Sequence, residues 1–345
     1  MSAKPTTSRL TPASDMPSAG SVPPRRNRRA EHLAALMQRH GALVVLVLVC
    51  LTASFAFDTF ATQANLSNLA IQAAIPSLIA LGMTFVILTG GIDLSVGTVF
   101  ILGGILAAIG NERAGAAGAL LLPLVVCGGV GAINGLLVAK ARMAPFIVTL
   151  TTLLAARGLS LAITDEGAET RRIASDSLFA GAGQNKLLGL GIPVFVALGL
   201  YALGALLLQR TRFGQSVLAV GGSEDAASLM GLPVARTKFL VYTLSGLLAG
   251  FAGALNAARL SSGVTIGGIG LELDAIAAVV IGGTLLVGGA GTVSGTLYGV
   301  GLLTVIQNII NQVGNLNSSY QAVVSGGFLI VVVVVQTVLA RTQRL

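Results

Sequence analysis

Catalytic and metal-binding side chains are scarce in this 345-residue chain. It has two histidines, two cysteines and no tryptophan, and only 10% of its residues are charged. Both histidines, His32 and His40, lie near the N-terminus, and the motifs HExxH, CxxC and GxSxG are absent. We therefore expect neither a catalytic site nor a metal site. Cys50 and Cys127 lie in apolar segments and are expected to act as small packing residues.

No Gly–Lys dipeptide occurs, so the phosphate-binding loop that ends in Gly-Lys-Ser/Thr is absent. Acidic residues inside apolar segments are few: Asp93, with Glu272 and Asp274 at the start of a later segment. This is sparse for a proton relay, and it argues strongly against a membrane-embedded enzyme. Any energy must therefore come from another chain or from an ion gradient.

Apolar residues dominate what is present. They make up 54% of the chain, with 45 glycines and a mean hydropathy of +0.87. Soluble domains carry about 25% charged residues, and small residues let helices approach closely in lipid. The composition predicts an all-α, polytopic membrane protein.

About twenty apolar residues form a helix that crosses the hydrocarbon core. The sequence contains ten candidate spans, at 41–57, 66–89, 96–110, 117–139, 144–163, 191–208, 238–258, 273–288, 294–312 and 320–340. The third and eighth are short, so broken or re-entrant helices are expected around 90–97 and 282–291. Eight full crossings is the alternative. The transmembrane domain is predicted over 41–340.

Basic residues lie unevenly along the chain, whose net charge is +8. Residues 1–40 hold seven basic and two acidic side chains, including an arginine-rich run directly before the first span. That position favours an orientation signal in contact with membrane lipid over binding to nucleic acid. We expect 1–40 to be a largely disordered cytoplasmic tail, and the first span to be retained rather than cleaved as a signal peptide.

The positive-inside rule tests this map of spans. With the N-terminus inside, 15 basic residues fall on the cytoplasmic side, five on the outer side, and Arg157 within a span. The even number of spans then places the C-terminal tail 341–345 in the cytoplasm as well.

The segment LTGGIDLSVG at 88–97 places the carboxylate of Asp93 within a long apolar stretch. Gly90 and Gly91 permit irregular backbone, which a membrane tolerates only where protein or a cavity covers it. Two interpretations stay open: Asp93 faces a transport path, or it caps the next helix through Ser95 and its neighbours.

Two loops are long enough to have functions of their own. The outer loop 164–190 has mixed charge, which suits either docking of a soluble protein or simple solvation. In the inner loop 209–238, Gly221 and Gly222 break the chain, Ser223 is a candidate N-cap, and Gly231 ends a short helix. This helix is expected either to insert into a partner or to lie on the membrane.

Polar side chains inside the spans are candidates for a translocation path. Gln307 and Asn311 are one helical turn apart, as are Asn308 and Gln312, so these amides share a broad face. Neutral amides bind sugar-like hydroxyls without the desolvation cost of a charge, although hydrogen bonds between helices are the alternative. Thr149 is a weaker candidate, and Arg157 is expected either to pair with Asp93 or to lie near an interface.

Several motifs together resemble the permease subunits of bacterial ATP-binding-cassette importers for ribose and other monosaccharides. They are LTGGIDLSVG at 88–97, PFIVTLTTLLAARGLSLAITD at 145–165, GGSEDAASLMGLPVARTKFLVYTLSGLLAGFAGAL at 221–255 and LELDAIAAVVIGGTLLVGGAGTVSGTLYG at 271–299. The resemblance covers about residues 45–340. It does not extend with confidence to the outer loop 164–190 or to the N-terminal tail.

The resemblance implies a non-catalytic subunit of a type II importer in the bacterial inner membrane. It implies a second permease subunit, identical or closely related, two cytoplasmic subunits that bind ATP and magnesium, and a periplasmic sugar-binding protein. The residues that fall in the family's coupling segment are Gly221, Gly222, Ser223, Glu224, Ala227, Leu229 and Gly231. The alternative is an ion-gradient-coupled carrier of a small polar solute that works alone.

Overall fold

The computed structural model describes residues 28–175, 177–313 and the single positions 323, 326, 327 and 330. These residues are almost entirely helical. The helices are α1 (Arg28–Ala56), α2 (Gln63–Leu88), α3 (Val96–Ala139), α4 (Pro145–Ile163), α5 (Leu178–Gln184), α6 (Ile192–Arg210), α7 (Arg212–Gly222), α8 (Glu224–Leu229), α9 (Val234–Leu260), α10 (Leu271–Ile281) and α11 (Val293–Val313). The strands are β1 (Arg171–Arg172), β2 (Lys186–Leu187), β3 (Leu190–Gly191) and β4 (Ser262–Gly263).

Six of the helices are long and apolar enough to cross a membrane: α2, α3, α4, α6, α9 and α11. The multi-pass, helical class is therefore confirmed. The count of ten spans stays a prediction, because the tenth candidate, 320–340, lies outside the described residues apart from single positions. The C-terminal tail and residues 1–27 also lie outside them, and α1 begins at Arg28, before the predicted boundary at residue 41.

Helix α3 covers the third and fourth predicted spans and doubles back between them. Ala114 and Gly115 leave helical geometry, and Gly115 has a φ of 60°. The two arms, 96–113 and 116–139, run antiparallel, because Gly110 lies against Gly118 near the turn while the Asn134 side chain reaches Ser95 at the far end. Glycine permits this sharp reversal because it has no Cβ to clash at positive φ.

Helix α9 packs against both arms of this hairpin through small residues. A Cβ atom added to Gly103 on the first arm would lie 2.6 Å from the carbonyl oxygen of Gly250. A Cβ atom added to Gly131 on the second arm would lie 3.0 Å from the Cα atom of Gly246. Gly246 and Gly250 are four residues apart and share a face of α9, so the backbones meet as in small-xxx-small packing.

The predicted interruptions near 90–97 and 282–291 are both present. The chain is non-helical from Thr89 to Ser95 and again between α10 and α11. The first interruption turns back towards the centre of the molecule, since Asp93 contacts Ser245 near the middle of α9. Helix α10 has 11 residues, too few to cross a bilayer at 1.5 Å per residue.

The segment 209–238 differs from the prediction in one respect. It contains two helices rather than one, because Arg212–Gly222 forms α7 before the short α8 begins. Gly221 and Gly222 are the last residues of α7, and the break falls at Ser223, whose φ is −164°. The amphipathic repeat of α7 includes the buried residues Val217 and Val220, which the sequence reading passed over because glycine and polar residues interrupt it.

The predicted outer loop 164–190 is folded onto the spans. Strand β1 pairs with β4, which directly follows α9. Helix α5 packs on the end of α9, where Gln184 donates a hydrogen bond to Ser261 Oγ at 2.6 Å. Its docking role is not tested by these contacts.

Replacing Gly103 by alanine is expected to destabilise the protein, because the added methyl group meets the α9 backbone at Gly250. Overpacking of this kind costs about 1–3 kcal/mol. The control is Gly129→Ala, since an added Cβ there meets nothing within 4 Å. We expect thermal unfolding in detergent at a temperature several degrees lower for G103A only. Equal unfolding temperatures would contradict the packing described.

Candidate functional site

Three glycine pairs from three segments meet where α2 ends. Gly90 and Gly91 follow α2, Gly221 and Gly222 end α7, and Gly288 and Gly289 lie between α10 and α11. We call this set of six residues the glycine junction. The Gly289 N–H donates a hydrogen bond to the Leu88 carbonyl at 3.0 Å, so the junction joins the segment 209–238 to both interruptions.

Side chains are excluded from the glycine junction because its backbones are in contact. A Cβ atom added to Gly221 would overlap the Leu88 carbonyl and lie 2.5 Å from the Gly289 nitrogen. One added to Gly288 would lie 2.7 Å from the Gly90 nitrogen. Gly90, Gly288 and Gly289 also have positive φ values of 75°, 88° and 78°, which residues with a Cβ rarely adopt. Glycine is therefore required twice over at several of these positions.

Helix α8 begins one residue after the junction and projects from it. The Ser223 hydroxyl accepts a hydrogen bond from the Ala226 N–H at 3.2 Å, which confirms the predicted N-cap. Glu224 forms an ion pair with Lys238 of α9 at 2.5 Å, and Ala227 is fully buried beneath the helix.

At the other end of α8, apolar side chains face outward. Leu229 is 90% exposed and Met230 is 68% exposed. Gly231 ends the helix with a φ of 77°, as the sequence predicts. A capped helix that is anchored at its start and presents exposed apolar residues at its end suits insertion into a partner protein.

Asp93 is held by hydroxyl and amide groups. Its Oδ1 atom accepts hydrogen bonds from the Ser95 N–H at 3.0 Å and the Ser95 hydroxyl at 2.6 Å. Its Oδ2 atom accepts from the Ser245 hydroxyl of α9 at 2.8 Å. The side chain is only 1% exposed. This arrangement matches the capping interpretation of Asp93 and fixes the first interruption to α9.

The polar network around Asp93 continues into the hairpin and α4. Asn134 donates to the Ser95 hydroxyl at 3.1 Å and accepts from the Thr152 hydroxyl at 2.5 Å. Thr149, also on α4, donates to its own helix at the Pro145 carbonyl and lies 3.5 Å from the Ile92 carbonyl. The structure thus brings Asp93 and Thr149 to one buried site, where hydrogen bonds link four segments.

Arg157 does not join this network. It lies two turns beyond Thr149 on α4, and its side chain is exposed, whereas the Asp93 carboxylate is enclosed by serine groups. Of the two expectations for Arg157, the structure favours a position at an interface over a pair with Asp93.

The amides of α11 divide between two roles. Asn308 and Asn65 of α2 exchange hydrogen bonds of 2.9 and 3.3 Å, and Gln312 donates to Asn308 at 2.7 Å. Gln307 instead lines a small cavity of about 70 Å³ between α2, α10 and α11, together with Gln72, Asp274 and Thr304. Asn311 is exposed.

The sequence reading missed three features of this site. Ser245 and Asn134 bind the Asp93 segment, but their distances of 152 and 41 residues from Asp93 give no local signal. Gly288 and Gly289 lie in a string that the sequence reading treated as a packing or helix-breaking feature, without a specific partner. Within residues 28–175 and 177–313, no group of three His, Cys, Asp or Glu side chains is placed to hold a metal ion.

Comparison with known proteins identifies the family. The model described as "Branched-chain amino acid transport system / permease component" matches residues 65–333, most of the chain. The chain belongs to this permease family. The matched range includes the glycine junction, the Asp93 network and α8, so the candidate site lies wholly within the family region.

Curated relatives align over nearly their full length with this permease. The ribose import permease protein RbsC of Bacillus subtilis (strain 168) is 40% identical over 304 residues, covering 88% of this chain and 94% of the relative. The Escherichia coli (strain K12) protein of the same name is 39% identical over 311 residues, covering 89% and 96%. The L-arabinose ABC transporter permease protein AraH of Azospirillum brasilense is 36% identical, covering 86% and 87%. No solved structure matches the permease.

Substitution of Asp93 separates a capping role from a role in the path. In Asp93→Ala, three donors lose their acceptor, and each buried unsatisfied group costs about 1–3 kcal/mol. We expect D93A to lower the thermal unfolding temperature and the yield of folded protein. Asp93→Asn keeps one acceptor oxygen, and the serine hydroxyls can reorient, so D93N should keep solute uptake within about threefold of the original protein.

The measurement for both variants is uptake alongside detergent thermal stability. If D93N unfolds at the unchanged temperature but has lost uptake, the charge itself acts in transport and the capping role is insufficient.

Proposed function

We propose that this chain is the permease subunit of an ATP-binding-cassette importer and forms the translocation path for a monosaccharide. The observation that carries the proposal is α8, a capped helix with exposed apolar residues that is joined through the glycine junction to both interrupted regions. A carrier working alone has no need of such a projecting helix. The printed names of the relatives, which specify ribose and L-arabinose import, support a pentose-like substrate.

The proposal includes partners that supply energy and substrate. ATP hydrolysis takes place in separate cytoplasmic subunits, because this chain has no phosphate-binding loop. A second permease subunit completes the path, and a periplasmic protein delivers the sugar. The chain lies in the inner membrane with ten spans and both termini in the cytoplasm, an arrangement supported by the excess of basic residues in the predicted inner loops.

The glycine junction gives a route for coupling. Closure of the ATPase subunits displaces α8, and the ion pair of Glu224 with Lys238 makes α9 follow. Because Gly221 touches both the Leu88 carbonyl and Gly289, the displacement reaches the backbone of both interruptions directly. The interrupted helices then tilt as units and alternate the access of the path between the two faces of the membrane.

Among the candidate path residues, burial suggests a division of roles. Asp93, Thr149 and Asn308 are buried and hydrogen-bonded within the subunit, so they position the helices. Arg157, Gln307 and Asn311 are accessible or line a cavity and are the residues we assign to contact with the passing sugar. Such weak polar contacts favour release of the sugar to the cytoplasm.

A double substitution of α8 tests the function. Glu224→Arg with Leu229→Asp replaces the charge at the start of α8 and its most exposed apolar residue. We expect the ATPase subunit to be lost on co-purification and ATP-driven sugar accumulation in proteoliposomes to stop, with membrane insertion intact. The matched control is Glu166→Arg with Leu188→Asp in the outer loop, where Leu188 is 89% exposed; it should retain the ATPase subunit.

Two results would contradict the proposed function. One is an ATPase subunit that remains bound to the α8 variant as well as to the control. The other is concentrative uptake by the permease alone in liposomes that hold an ion gradient and no ATP, which would favour the secondary carrier.

Neighbouring glycines test the coupling route. An added methyl group at Gly221 overlaps the α2 terminus, whereas at Gly222 it meets nothing within 4 Å. We expect Gly221→Ala to reduce sugar uptake at least about fivefold, consistent with the usual cost of overpacking, while the ATPase subunit stays bound. Gly222→Ala is expected to transport normally. Equal uptake by the two variants would show that contact at Gly221 does not transmit the movement.

A further inference from the structure

A large cleft lies beside α8 and takes no part in the route just described. Its volume is about 1060 Å³, and it is bounded by the end of α3, the turn into α4, α8 and the start of α9. These are helix ends on the side of the molecule where the basic residues concentrate. The cleft therefore lies where the spans meet the predicted cytoplasmic surface.

Positive charge dominates the cleft. Four basic side chains line it, against the two carboxylates of α8. Lys238 is paired with Glu224, but no carboxylate of the described residues lies within ion-pair distance of Lys140, Arg142 or Arg236. Three cations thus remain available to an anionic ligand.

The backbone at Arg142 is held in an unfavourable conformation. Its φ is 53°, in the left-handed region that non-glycine residues seldom occupy. Strain of this kind persists where the surrounding structure imposes it, often at ligand-binding positions. Here the conformation places an arginine, and not the glycine that would fit more easily, in the lining of the cleft.

The remaining lining is apolar. Leu136 and Met143 are 44% and 42% exposed, and Phe239 lies with them in the wall. The first turns of α4 and α9 also open on the cleft without a side-chain cap, so their N–H groups add to the attraction for an anion. A ligand that fits this lining has an anionic group joined to hydrocarbon.

We propose that this cleft binds the phosphate headgroup of an anionic phospholipid, with its acyl chain along the apolar wall. Basic pockets between transmembrane helices on the cytoplasmic side bind such headgroups, and each lysine or arginine near an anionic surface contributes about a fivefold factor in affinity. A free phosphate ion would use the same cations but not the apolar wall. An acidic segment of a partner protein would use neither the wall nor the lateral opening towards the membrane.

The test compares two triple variants of the full chain in nanodiscs containing phosphatidylcholine and phosphatidylglycerol. The first removes the free cations, Lys140→Gln, Arg142→Gln and Arg236→Gln. The control removes three cations assigned to the outer side, Arg113→Gln, Lys186→Gln and Arg259→Gln. Native mass spectrometry after transfer to detergent counts the lipids that remain bound.

We expect the original chain and the control to retain phosphatidylglycerol in preference to phosphatidylcholine. The cleft variant should lose this preference at least about tenfold, and exchanging lysine with arginine at the same three positions should restore it. Unchanged thermal stability of the cleft variant shows that the loss is not unfolding.

Three results would overturn the proposal. The cleft variant and the control could lose lipid equally, or the original chain could retain both lipids equally. Alternatively, millimolar inorganic phosphate could displace the bound lipid, which would assign the cations to a free ion. Loss of the ATPase subunit from the cleft variant, with lipid retention unchanged, would also overturn it and would assign the cleft to a protein. Co-purification of the ATPase subunit with the control reports on the proposed function separately.

Discussion

Contact between glycine backbones sets how closely α7, the end of α2 and the α10–α11 connection can approach. A hydrogen bond from Gly289 to the Leu88 carbonyl links two of these segments, and Gly221 packs on both. Side chains would separate the segments by the width of at least a methyl group, and flexible contacts would absorb a small displacement. Packed protein interiors transmit strain because they hold few voids. The junction is therefore stiff, although its glycines lie at breaks in the helices.

The Asp93 network supplies the complementary constraint. A membrane tolerates irregular backbone only where other groups satisfy its hydrogen bonds. The carboxylate binds the first turn of α3 through Ser95 and α9 through Ser245, and Asn134 extends the network towards α4. An interrupted helix is thus fixed in position at its midpoint while its end contacts the glycine junction. A displacement at the junction then rotates the helix about this fixed point instead of unfolding the loop.

Features that depend on local sequence could be predicted, and features that depend on distant contacts could not. The N-cap at Ser223 and the stop at Gly231 are signals within one helix, and both are present. The interruptions near 90–97 and 282–291 follow from short apolar segments next to glycine pairs. Their meeting with Gly221 could not be predicted, because no periodicity relates segments more than a hundred residues apart.

The polar candidates show the same limit. Asn308 had two alternatives from sequence, and only the position of Asn65 on α2 selects the hydrogen bond between helices. Helix α7 was missed because its apolar repeat is short and its glycines and polar residues resemble a loop. Arg157 was linked to Asp93 by charge alone, whereas the serine hydroxyls that surround Asp93 come from α3 and α9.

The stiffness of the glycine junction can be measured directly by electron–electron spin resonance on the complex with its ATPase subunits. Spin labels at Gln215 in α7 and Val287 in the α10–α11 connection both occupy exposed positions, with Cys50 and Cys127 replaced by alanine. The account predicts that the distance between these labels stays constant between the nucleotide-free and ATP-bound states, while the distance between Gln215 labels on the paired permeases changes. A change within the subunit as large as that between subunits would contradict it.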